Sequence, residues 1–493
     1  MSGADREIEL KFACGPDDLA TVLAAAPAGD DETRELISVY FDTPDRALQK
    51  AGASLRVREH QGKRVQTLKR GQGLVREEHE APIEGLAPDP GLAPLPSLLP
   101  DGASLKPAFN VRISRRQRTF RYAEAEIEMA LDQGEVTGGD RQSPICEVEL
   151  ELKSGPPATL FALARELSAV APLYLAFDSK AARGQALVAG DAEIARRSGK
   201  LDLAGKTTVG EAFQIVARQA LAQIAANAAS LRVEPGPEAV HQLRVGARRL
   251  RSAFASFRPM LQGPGLEGLE AAKVGLKWLS RSCDRARNLD VFAEETLRPA
   301  EVGEHPPPGL DALRRAIDMA RQAAWTHAGE AAASGRFRAL MIDTAAWVET
   351  GGWLSCDAAK APIGPFAERA LKHRRKALDK RRRGARGGDD AARHHLRIEA
   401  KRLRYAIEAF ESLYGHKAVE RYLRRLKALL DGLGGLNDQV AAEPLIVSLS
   451  LPAEAAFAAG ELVGRKAAGK AELIARAGKA ADKLVAAEPF WGR

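Results

Sequence analysis

The fold of the first part of the chain is decided by the stretch Glu147-Val148-Glu149-Leu150-Glu151-Leu152-Lys153, in which charged and apolar residues alternate without a break. Successive side chains of a β-strand point to opposite faces, so this alternation predicts a strand with one ionic face and one apolar face. The same pattern occurs at residues 7–12, 55–58 and 126–129. We therefore predict a set of antiparallel strands up to about residue 155.

The second part of the chain has a different pattern. Beyond about residue 200, Ala, Leu and Arg recur at helical spacing, and clusters of Pro and Gly separate long amphipathic segments. This pattern predicts an all-α region. We place one domain at residues 1–199 and a second, helical domain at residues 207–490.

The net charge of +8 is distributed unevenly along the 493 residues. Residues 1–200 contain 26 Lys and Arg against 31 Asp and Glu, whereas residues 201–493 contain 47 against 34. The first part is therefore −5 and the second +13. A basic half favours a polyanionic partner, and composition alone leaves nucleic acid, an acidic membrane and polyphosphate open.

The four cysteines are far apart in sequence and form no CxxC pair: Cys14, Cys146, Cys283 and Cys356. This spacing indicates neither a zinc site nor a disulfide framework, so we expect reduced thiols. The N-terminus has no apolar signal-peptide core, and no run of about 18 apolar residues follows it. We therefore expect a cytoplasmic protein with no membrane partner.

The helical half contains an internal duplication with a constant offset of 153 residues. Two basic stripes are related by this offset, and so are two apolar sets on the opposite side of the same helices. The stripes are His241, Arg244, Arg248 and Arg251, and His394, Arg397, Lys401 and Arg404. The apolar sets are Leu243, Ala247, Leu250, Phe254 and Phe257, and Leu396, Ala400, Leu403, Ile407 and Phe410. We therefore predict a helical bundle with pseudo-twofold symmetry.

No acidic residue falls within either basic stripe, although surface helices usually intersperse Glu with basic residues for ion pairing. Like charges on successive turns repel each other unless an anion is present. The alternative is a solvated helix face that one ancestral duplication copied. We favour anion binding because the arrangement occurs twice. A second basic run at residues 372–386 either extends this surface or is a solvated helix end.

The predicted strands carry ionic faces that are acidic on some strands and basic on others. Residues two apart share a face, so Glu147 lies with Glu149, and Arg56 with Arg58. For a single strand of this kind, a half-buried sheet with its charges in water is the usual explanation. Blocks of opposite sign on several strands instead favour a multivalent ligand. A closed barrel with carboxylates on one wall and Lys or Arg on another could hold a divalent metal and a short phosphate chain together.

These residues resemble the CYTH superfamily, the triphosphate tunnel metalloenzymes. The resemblance covers about residues 5–190 and implies an antiparallel β-tunnel that is a closed barrel. It also implies that water attacks the terminal phosphoryl group of a triphosphate with the help of Mg²⁺ or Mn²⁺. The motifs are the Glu7-Ile8-Glu9-Leu10-Lys11 opening, Tyr40-Phe41-Asp42-Thr43, Leu55-Arg56-Val57-Arg58, Thr67-Leu68-Lys69 and the stretch from Glu147 to Lys153.

The same resemblance implies a role for individual residues. The expected metal ligands are Glu7, Glu9, Glu126, Glu128, Asp132, Glu147, Glu149 and Glu151. The expected substrate-binding residues are Lys11, Arg56, Arg58, Lys69, Arg116, Arg118 and Lys180. Catalysis is expected to depend on Glu7, Glu9, Lys11 and Lys69. The stretch 76–80, with Arg76, Glu78 and Glu80, could also face the tunnel, and its register stays open.

The two basic helices resemble the paired helices of the CHAD domain. The match rests on His241-x₂-Arg244-x₃-Arg248-Arg249-Leu250-Arg251 and on His394-x₂-Arg397-x₃-Lys401-Arg402-Leu403-Arg404, and it covers about residues 207–490. It implies an all-α bundle whose eight stripe residues bind inorganic polyphosphate. Many relatives carry Arg-Asp at the position where the first repeat here has Arg287-Asn288. The role of an acidic residue at this point of the first repeat therefore stays open.

We therefore expect an α+β multidomain protein that hydrolyses inorganic triphosphate to diphosphate and phosphate and also binds inorganic polyphosphate. Two alternatives remain. One is a tunnel enzyme for an organic triphosphate, namely thiamine triphosphate, a nucleoside triphosphate, or ATP with cyclisation to cyclic AMP. The other is a non-catalytic polyphosphate-binding protein on granules.

Specific nucleic-acid binding is disfavoured because the basic helices lack interleaved aromatic residues and the aromatic fraction is only 5%. The oligomeric state stays open. The expected location is the cytoplasm, with polyphosphate granules as a candidate site of association.

Overall fold

The computed structural model describes residues 8–60, 62–70, 77–92, 94–100, 102–190, 197, 199–261, 266–385 and 387–492. The chain divides into two compact units. The first, which we call the sheet unit, comprises residues up to Ile194 and the segment Ser334–Thr350. The second, the helical unit, comprises Ala195–Ala333 and Gly351–Arg493. The sheet unit thus includes a segment that lies far along the chain from the rest of it.

Strands and helices are numbered along the chain. The strands are β1 (Ile8–Ala13), β2 (Asp30–Asp42), β3 (Ala53–His60), β4 (Lys63–Arg70), β5 (Glu77–Ile83), β6 (Lys106–Tyr122), β7 (Ala125–Gly138), β8 (Arg141–Ser154) and β9 (Tyr174–Ala176). The helices are α1 (Asp18–Ala25), α2 (Ala47–Lys50), α3 (Pro157–Val170), α4 (Lys180–Ala189), α5 (Val209–Val233), α6 (Pro237–Ser256), α7 (Leu266–Ser282), α8 (Asp284–Phe292), α9 (Arg298–Glu301), α10 (Leu310–Ala333), α11 (Gly335–Thr350), α12 (Asp357–Lys360), α13 (Ile363–Ala385), α14 (Asp390–Phe410), α15 (His416–Val447), α16 (Ala453–Ala468) and α17 (Lys470–Val485).

The strands form a single antiparallel sheet in the order β5-β4-β3-β2-β6-β7-β8-β1-β9, which confirms the fold class predicted for the first part of the chain. The closed barrel expected there is wrong, because within the described residues the edge strands β5 and β9 do not pair with each other. The physical reason lies in β9, which has three residues before the chain turns into α4. A helix cannot extend the hydrogen-bonded ladder of a sheet.

Helix α4 lies against β6, β7 and β8. Its Gly184 faces the ring of Phe109 so closely that a Cβ atom would lie 2.1 Å from a ring carbon. Glycine at this position therefore lets the helix approach the sheet. The approach carries Lys180, one turn earlier, to a buried position beside the charged face of the strands.

The apolar face of the sheet is covered by α3, which packs on β7 and β8 through the buried side chains of Leu160, Leu163 and Leu167. Helix α11 of the sheet unit packs in turn on α3 and β9. Arg165 of α3 forms an ion pair of 2.9 Å with Asp343 of α11. The sheet unit is therefore completed by a helix that follows β9 by about 160 residues of sequence.

The helical unit reproduces the predicted duplication. Helices α5 and α6 pack together, as do α13 and α14, and the starts of α5 and α13 exchange backbone hydrogen bonds. Val209 N–H donates to Ala361 (2.8 Å), and Ile363 N–H donates to Thr207 (3.1 Å). This reciprocal pair is what a local twofold axis produces.

The two predicted apolar sets are buried in the core of the helical unit. Phe257 and its duplicate Phe410 have ring centroids 5.5 Å apart. Phe257 also contacts Phe213 and Phe366, which are themselves related by the offset of 153. The aromatic contacts therefore tie the two repeats into one core. Among the helices that the structure describes, no helix combines the length and apolar character of a membrane span.

Candidate functional site

The charged site of the sheet unit arises from strand register. Lys11 of β1 lies opposite Glu149 of β8, and Glu147 of β8 lies opposite Asp132 of β7. On the next strand, Arg115 of β6 lies opposite Asp132. Because paired residues of adjacent strands point to the same side, these side chains all meet on one face of the sheet.

Three carboxylates form the buried centre of this face: Asp132, Glu147 and Glu149. One oxygen of each lies within 4.8 Å of the others. Their residues are 0%, 1% and 8% exposed. Three carboxylates this close and this dry cannot all stay ionised without nearby cations.

Three cations supply that compensation. Lys11 lies 2.5 Å from Glu149, and Arg115 lies 2.7 Å from Asp132 and also pairs with Glu149. Lys180, reaching in from α4, lies 2.6 Å from Asp132, 2.9 Å from Glu149 and in contact with Glu147. The six groups form a closed network of alternating charge.

The pKa values follow from this network. Burial acts to raise the pKa of Glu149, but Lys11, Lys180 and Arg115 outweigh it and hold that pKa well below its ordinary value. Burial acts to lower the pKa of Lys180, but the carboxylates around it raise it overall. The pKa of Asp132 is lowered as well, because Lys180 and Arg115 outweigh its burial. Glu149, Asp132 and Lys180 are therefore charged at neutral pH.

A cavity of about 660 Å³, including its open mouth, lies beside the carboxylate cluster. Six of the described residues that line it are basic and three are acidic, so the lining carries surplus positive charge. The basic residues are Lys11, Arg56, Arg58, Lys69, Arg115 and Lys180, and the acidic ones are Glu9, Glu149 and Glu151.

Within the cavity, the guanidinium of Arg58 donates to Ser38 Oγ at 3.1 Å. Burial and the nearby charge of Arg56 lower the pKa of Arg58 to about 10. Arg56 lies 3.7 Å from Glu78, whose carboxylate is 2.7 Å from Lys69. Crowded cations with few counter-charges favour an anionic ligand at this wall.

Only some of the predicted metal ligands lie in the carboxylate cluster. Asp132, Glu147 and Glu149 form the cluster, and Glu9 lies on the cavity wall, 4.0 Å from Lys11. Glu128 and Glu151 flank the cluster and share Lys153, at 3.3 and 2.5 Å. Glu126 is exposed at the start of β7 and does not join them. Glu7 lies outside the described residues.

The predicted substrate residues also divide into two groups. Lys11, Arg56, Arg58, Lys69 and Lys180 line the cavity. The placement of Arg116 and Arg118 there is wrong, because both side chains lie on the opposite face of β6 from Arg115. They bind Asp31 at 2.7 and 2.5 Å. A shift of one residue along a strand reverses the face, and that explains the error.

Sequence reasoning missed two residues of the site. The sequence predictions include Arg116 and Arg118 but not Arg115, whose position opposite Asp132 makes it central. They give Tyr40 no role beyond its motif, and this residue lines the cavity. Burial acts to raise its pKa, but Arg56 and Arg58 lower it overall. Glu78 pairs with Lys69, and Glu80 accepts a hydrogen bond from Thr67. Because Lys69 and Thr67 line the cavity, Glu78 and Glu80 lie on the cavity side of β5. Arg76 lies outside the described residues.

A second charged surface lies in the helical unit, where α6 and α14 meet. We call it the basic groove, and its volume is about 1270 Å³ including its open side. Seven of its described lining residues are Lys or Arg, and no Asp or Glu lines it. The seven are Arg248, Arg251, Lys273, Lys277, Arg397, Lys401 and Arg402, of which four belong to the predicted stripes.

The other four stripe residues do not line the groove, and three of them have partners. Arg244 pairs with Asp284, and Arg404 lies 3.0 Å from Glu408. His394 Nδ1 lies 2.8 Å from the side-chain oxygen of Asn437. Burial, together with Arg287 and Arg248, lowers the pKa of His241 to about 4, so this histidine is neutral. Arg244, Arg404 and His394 are therefore held by the protein itself. Among the groove residues, Lys273 pairs with Glu270 at 2.7 Å and Arg402 pairs with Glu399, whereas Arg248, Arg397 and Lys401 pair with no described carboxylate within 4.0 Å.

The pKa of Lys401 reflects the positive charges around it. Burial and the neighbouring Arg397, Arg248 and Arg404 lower its pKa to about 7, and Asp438 offsets this only in part. Lys401 forms no ion pair within 4.0 Å with a carboxylate of the described chain. An anion in the groove would reverse this shift.

The basic run at residues 372–386 is mainly structural. Arg375 donates to Tyr422 Oη at 3.1 Å and to the carbonyls of Val485 and Ala487 at the end of α17. Arg382 pairs with Asp379 and Asp482 at 2.9 Å. We therefore do not include this run in the basic groove.

Comparisons with known proteins agree with this division. Residues 5–184 match the model of the CYTH domain, and residues 215–447 match that of the CHAD domain. An inorganic triphosphatase of Haemophilus influenzae is 32% identical over 193 residues, which are 37% of this chain and 55% of that protein. This chain thus spans about half of that relative.

Two solved structures are similar to parts of this chain. The crystal structure of the CHAD domain from the plant Ricinus communis is 30% identical, with a TM-score of 0.53, and the match covers 61% of this chain and 99% of that one. PptA from Streptomyces chartreusis is 20% identical with a TM-score of 0.41, over 56% of this chain and 99% of that one.

Replacing Lys180 by Gln should destabilise the sheet unit by about 3–5 kcal/mol, because it leaves buried carboxylates without their shared cation. Asp132 and Glu149 have lower pKa values in the folded protein than in the unfolded chain, where they are near 4. Their ionised forms therefore stabilise the fold above about pH 4, and this stabilisation is lost as the pH falls through the folded pKa values. Acid unfolding of the variant should therefore begin at higher pH. Chemical and acid denaturation of the full chain, followed by circular dichroism, measures both effects.

The matched control is Lys153→Gln, which removes a half-exposed cation from Glu128 and Glu151 on the same face. Exposed ion pairs contribute about 0–1 kcal/mol, so this variant should change little. Equal destabilisation by the two substitutions would contradict a buried network centred on Lys180.

Proposed function

Because the chain carries a CYTH domain at residues 5–184 and belongs to the CHAD domain family through residues 215–447, we propose that it is a metal-dependent inorganic triphosphatase that also binds inorganic polyphosphate. Hydrolysis of triphosphate to diphosphate and phosphate is assigned to the sheet unit. Polyphosphate binding is assigned to the basic groove of the helical unit.

The observation that carries the first assignment is the pairing of a carboxylate cluster with a cationic cavity. A triphosphate needs cations along its length, and the lining supplies more basic than acidic groups. Arg guanidinium groups bind phosphate oxygens in bidentate fashion, and Lys binds them as a point charge. Arg56, Arg58 and Lys69 therefore hold the phosphate chain in this proposal, with Lys11 where the cationic wall meets the cluster.

The carboxylate cluster fits a hard divalent cation, because Asp132, Glu147 and Glu149 offer only oxygen ligands within a small space. Mg²⁺ or Mn²⁺ held there would neutralise negative charge on the phosphoryl oxygens during water attack. Lys180 and Arg115 keep the carboxylates ionised and fix their positions before any ligand arrives.

The composition of the cavity supports an inorganic substrate. Of its described lining residues, Tyr40 is the aromatic one and Ala181 the aliphatic one, and the rest are charged or hydroxyl-bearing. An adenine or thiamine group gains most from apolar and aromatic walls. The name of the Haemophilus influenzae relative, inorganic triphosphatase, points the same way.

The basic groove supports the second assignment. Arg248 of α6 and Arg397 and Lys401 of α14 line one surface, and none of the three pairs with a described carboxylate within 4.0 Å. A flexible polyanion with a charge on every phosphate can adapt to such a surface without sequence-specific contacts. Tyr405 is the one aromatic residue among the described lining residues, so the groove offers little surface for the stacking of nucleotide bases.

Replacing both Glu147 and Glu149 by Gln should reduce tripolyphosphate hydrolysis by at least about 100-fold, because metal binding contributes several kcal/mol to the transition state. Phosphate release measured with Mg²⁺, with Mn²⁺ and with EDTA tests this, and circular dichroism verifies the fold. Glu126→Gln is the matched control, since Glu126 is an exposed carboxylate at the start of β7. Full activity in the double variant would contradict the assignment, as would a wild-type protein that releases no phosphate.

Replacing Arg248, Arg397 and Lys401 by Gln in the full chain should greatly weaken the binding of long-chain polyphosphate and spare tripolyphosphate hydrolysis. The slope of log Kd against log salt should fall by roughly three, about one for each lost cation. Filter binding over a series of salt concentrations measures both. Gln at Arg421, Arg424 and Arg425, three exposed positions of α15, removes equal charge and should change affinity little. Equal losses in the two triple variants would indicate non-specific attraction.

Polyphosphate binding should tighten as pH falls from about 8.5 to 6. Lys401, with its pKa of about 7, is largely neutral at the upper end, and a bound polyanion favours its charged form. Binding should therefore take up a proton, which calorimetry in buffers of different ionisation enthalpy detects. Lys401→Arg should flatten this dependence, because arginine stays protonated throughout. An unchanged pH profile in that variant would contradict the role of Lys401.

A further inference from the structure

Two cysteines that are 132 residues apart in sequence meet beside the carboxylate cluster. Cys14 follows β1 directly, and Cys146 lies in β8. Their Sγ atoms are 3.7 Å apart, and the backbone N–H of Cys14 donates to the carbonyl of Cys146 at 3.3 Å. The spacing of these cysteines in the sequence predicts reduced thiols and does not indicate that the two are neighbours.

The geometry of this pair suits a disulfide. Ala13 lies opposite Glu147, so the next position in the antiparallel ladder sets Cys14 opposite Cys146. Opposed residues in such a ladder have Cα atoms about 4.5–5.5 Å apart. Disulfides span Cα separations of about 4.4–6.8 Å. Side-chain rotation therefore suffices to join the sulfurs, without a large movement of either strand.

Both cysteines are half-exposed, so a small oxidant can reach them. We propose that Cys14 and Cys146 are a site of reversible oxidative modification, at which hydrogen peroxide converts the two thiols into an intramolecular disulfide. The other two cysteines lie in the helical unit: Cys283 is buried, and Cys356 is half-exposed between a 3₁₀ turn at Gly352–Ser355 and helix α12.

The reaction balances in two steps. One sulfur attacks a peroxide oxygen, the O–O bond breaks, and a sulfenic acid and one water form. The second sulfur then attacks the sulfenic sulfur, the S–O bond breaks, and a disulfide and a second water form. Two thiols and one hydrogen peroxide thus give one disulfide and two waters, and a dithiol reductant reverses the change.

The disulfide would act on the carboxylate cluster because Cys146 immediately precedes Glu147. Glu147 contacts Lys180 and lies 3.6 Å from Lys11. The disulfide would restrain the backbone on the N-terminal side of this carboxylate, and even a displacement of about 1 Å at an active site can slow an enzyme by about 100-fold. This part rests on the proposed triphosphatase function: oxidation should slow hydrolysis, by roughly tenfold or more.

The first test is peptide mapping of the full chain after peroxide treatment, with free thiols blocked by alkylation. We expect a linked peptide pair that contains Cys14 and Cys146 and has lost two hydrogen atoms, and dithiothreitol should abolish it. The pair should persist in Cys356→Ser and be absent in Cys14→Ser. Separate over-oxidation of the two cysteines, or linkage between different chains on a non-reducing gel, would overturn the proposal.

The second test is tripolyphosphate hydrolysis before oxidation, after it, and after re-reduction. Loss and recovery in the wild type and in Cys356→Ser, with no loss in Cys14→Ser, would support the effect on the cluster. A mapped disulfide with unchanged hydrolysis would overturn that effect. If the reduced protein hydrolyses no triphosphate, the proposed function fails, while peptide mapping still decides the modification site.

Discussion

Three carboxylates and three cations lie inside the sheet unit with little access to water, and the charge of each depends on the others. Removing a charged group from water costs several kcal/mol, which only close partners recover. This requirement fixes the register of β1, β6, β7 and β8, since a slip of one residue would place unlike charges on opposite faces. It also explains why α4 must approach the sheet, because Lys180 is the cation that all three carboxylates share.

The helical unit differs from the sheet unit in the balance of its charges. Its basic groove gathers cations from two equivalent helices and provides no described carboxylate in the lining. Lys273 and Arg402 pair with carboxylates outside the lining, but Arg248, Arg397 and Lys401 do not. Burial and the neighbouring arginines accordingly lower the pKa of Lys401 to about 7. The sheet unit can therefore hold its charged residues in place before a ligand arrives, whereas the groove gains most when a polyanion is present.

The alternation of charged and apolar residues in the strands and the internal repeat of the helices made much of the fold predictable from the sequence. The charged faces of β1, β3 and β8 and the apolar cores of α6 and α14 depend on local spacing, which sequence displays directly. Arg115 could not be chosen over Arg116, because the face of a residue depends on the pairing partner of its strand. Contacts between distant segments also determine three features that the sequence does not display. They are the position of Glu126 outside the cluster, the open edges of the sheet, and the contact between Cys14 and Cys146.

Helix α11 affects the order in which the protein can fold during synthesis. The sheet unit includes this helix, so the chain enters the helical unit after Ile194, returns at Ser334, and leaves again after Thr350. At about 5–20 residues per second, a ribosome needs roughly 10–30 s to make the intervening chain. During that time the surface of α3 that packs on α11 is uncovered in the nascent chain, and a truncated product that ends near residue 200 never covers it.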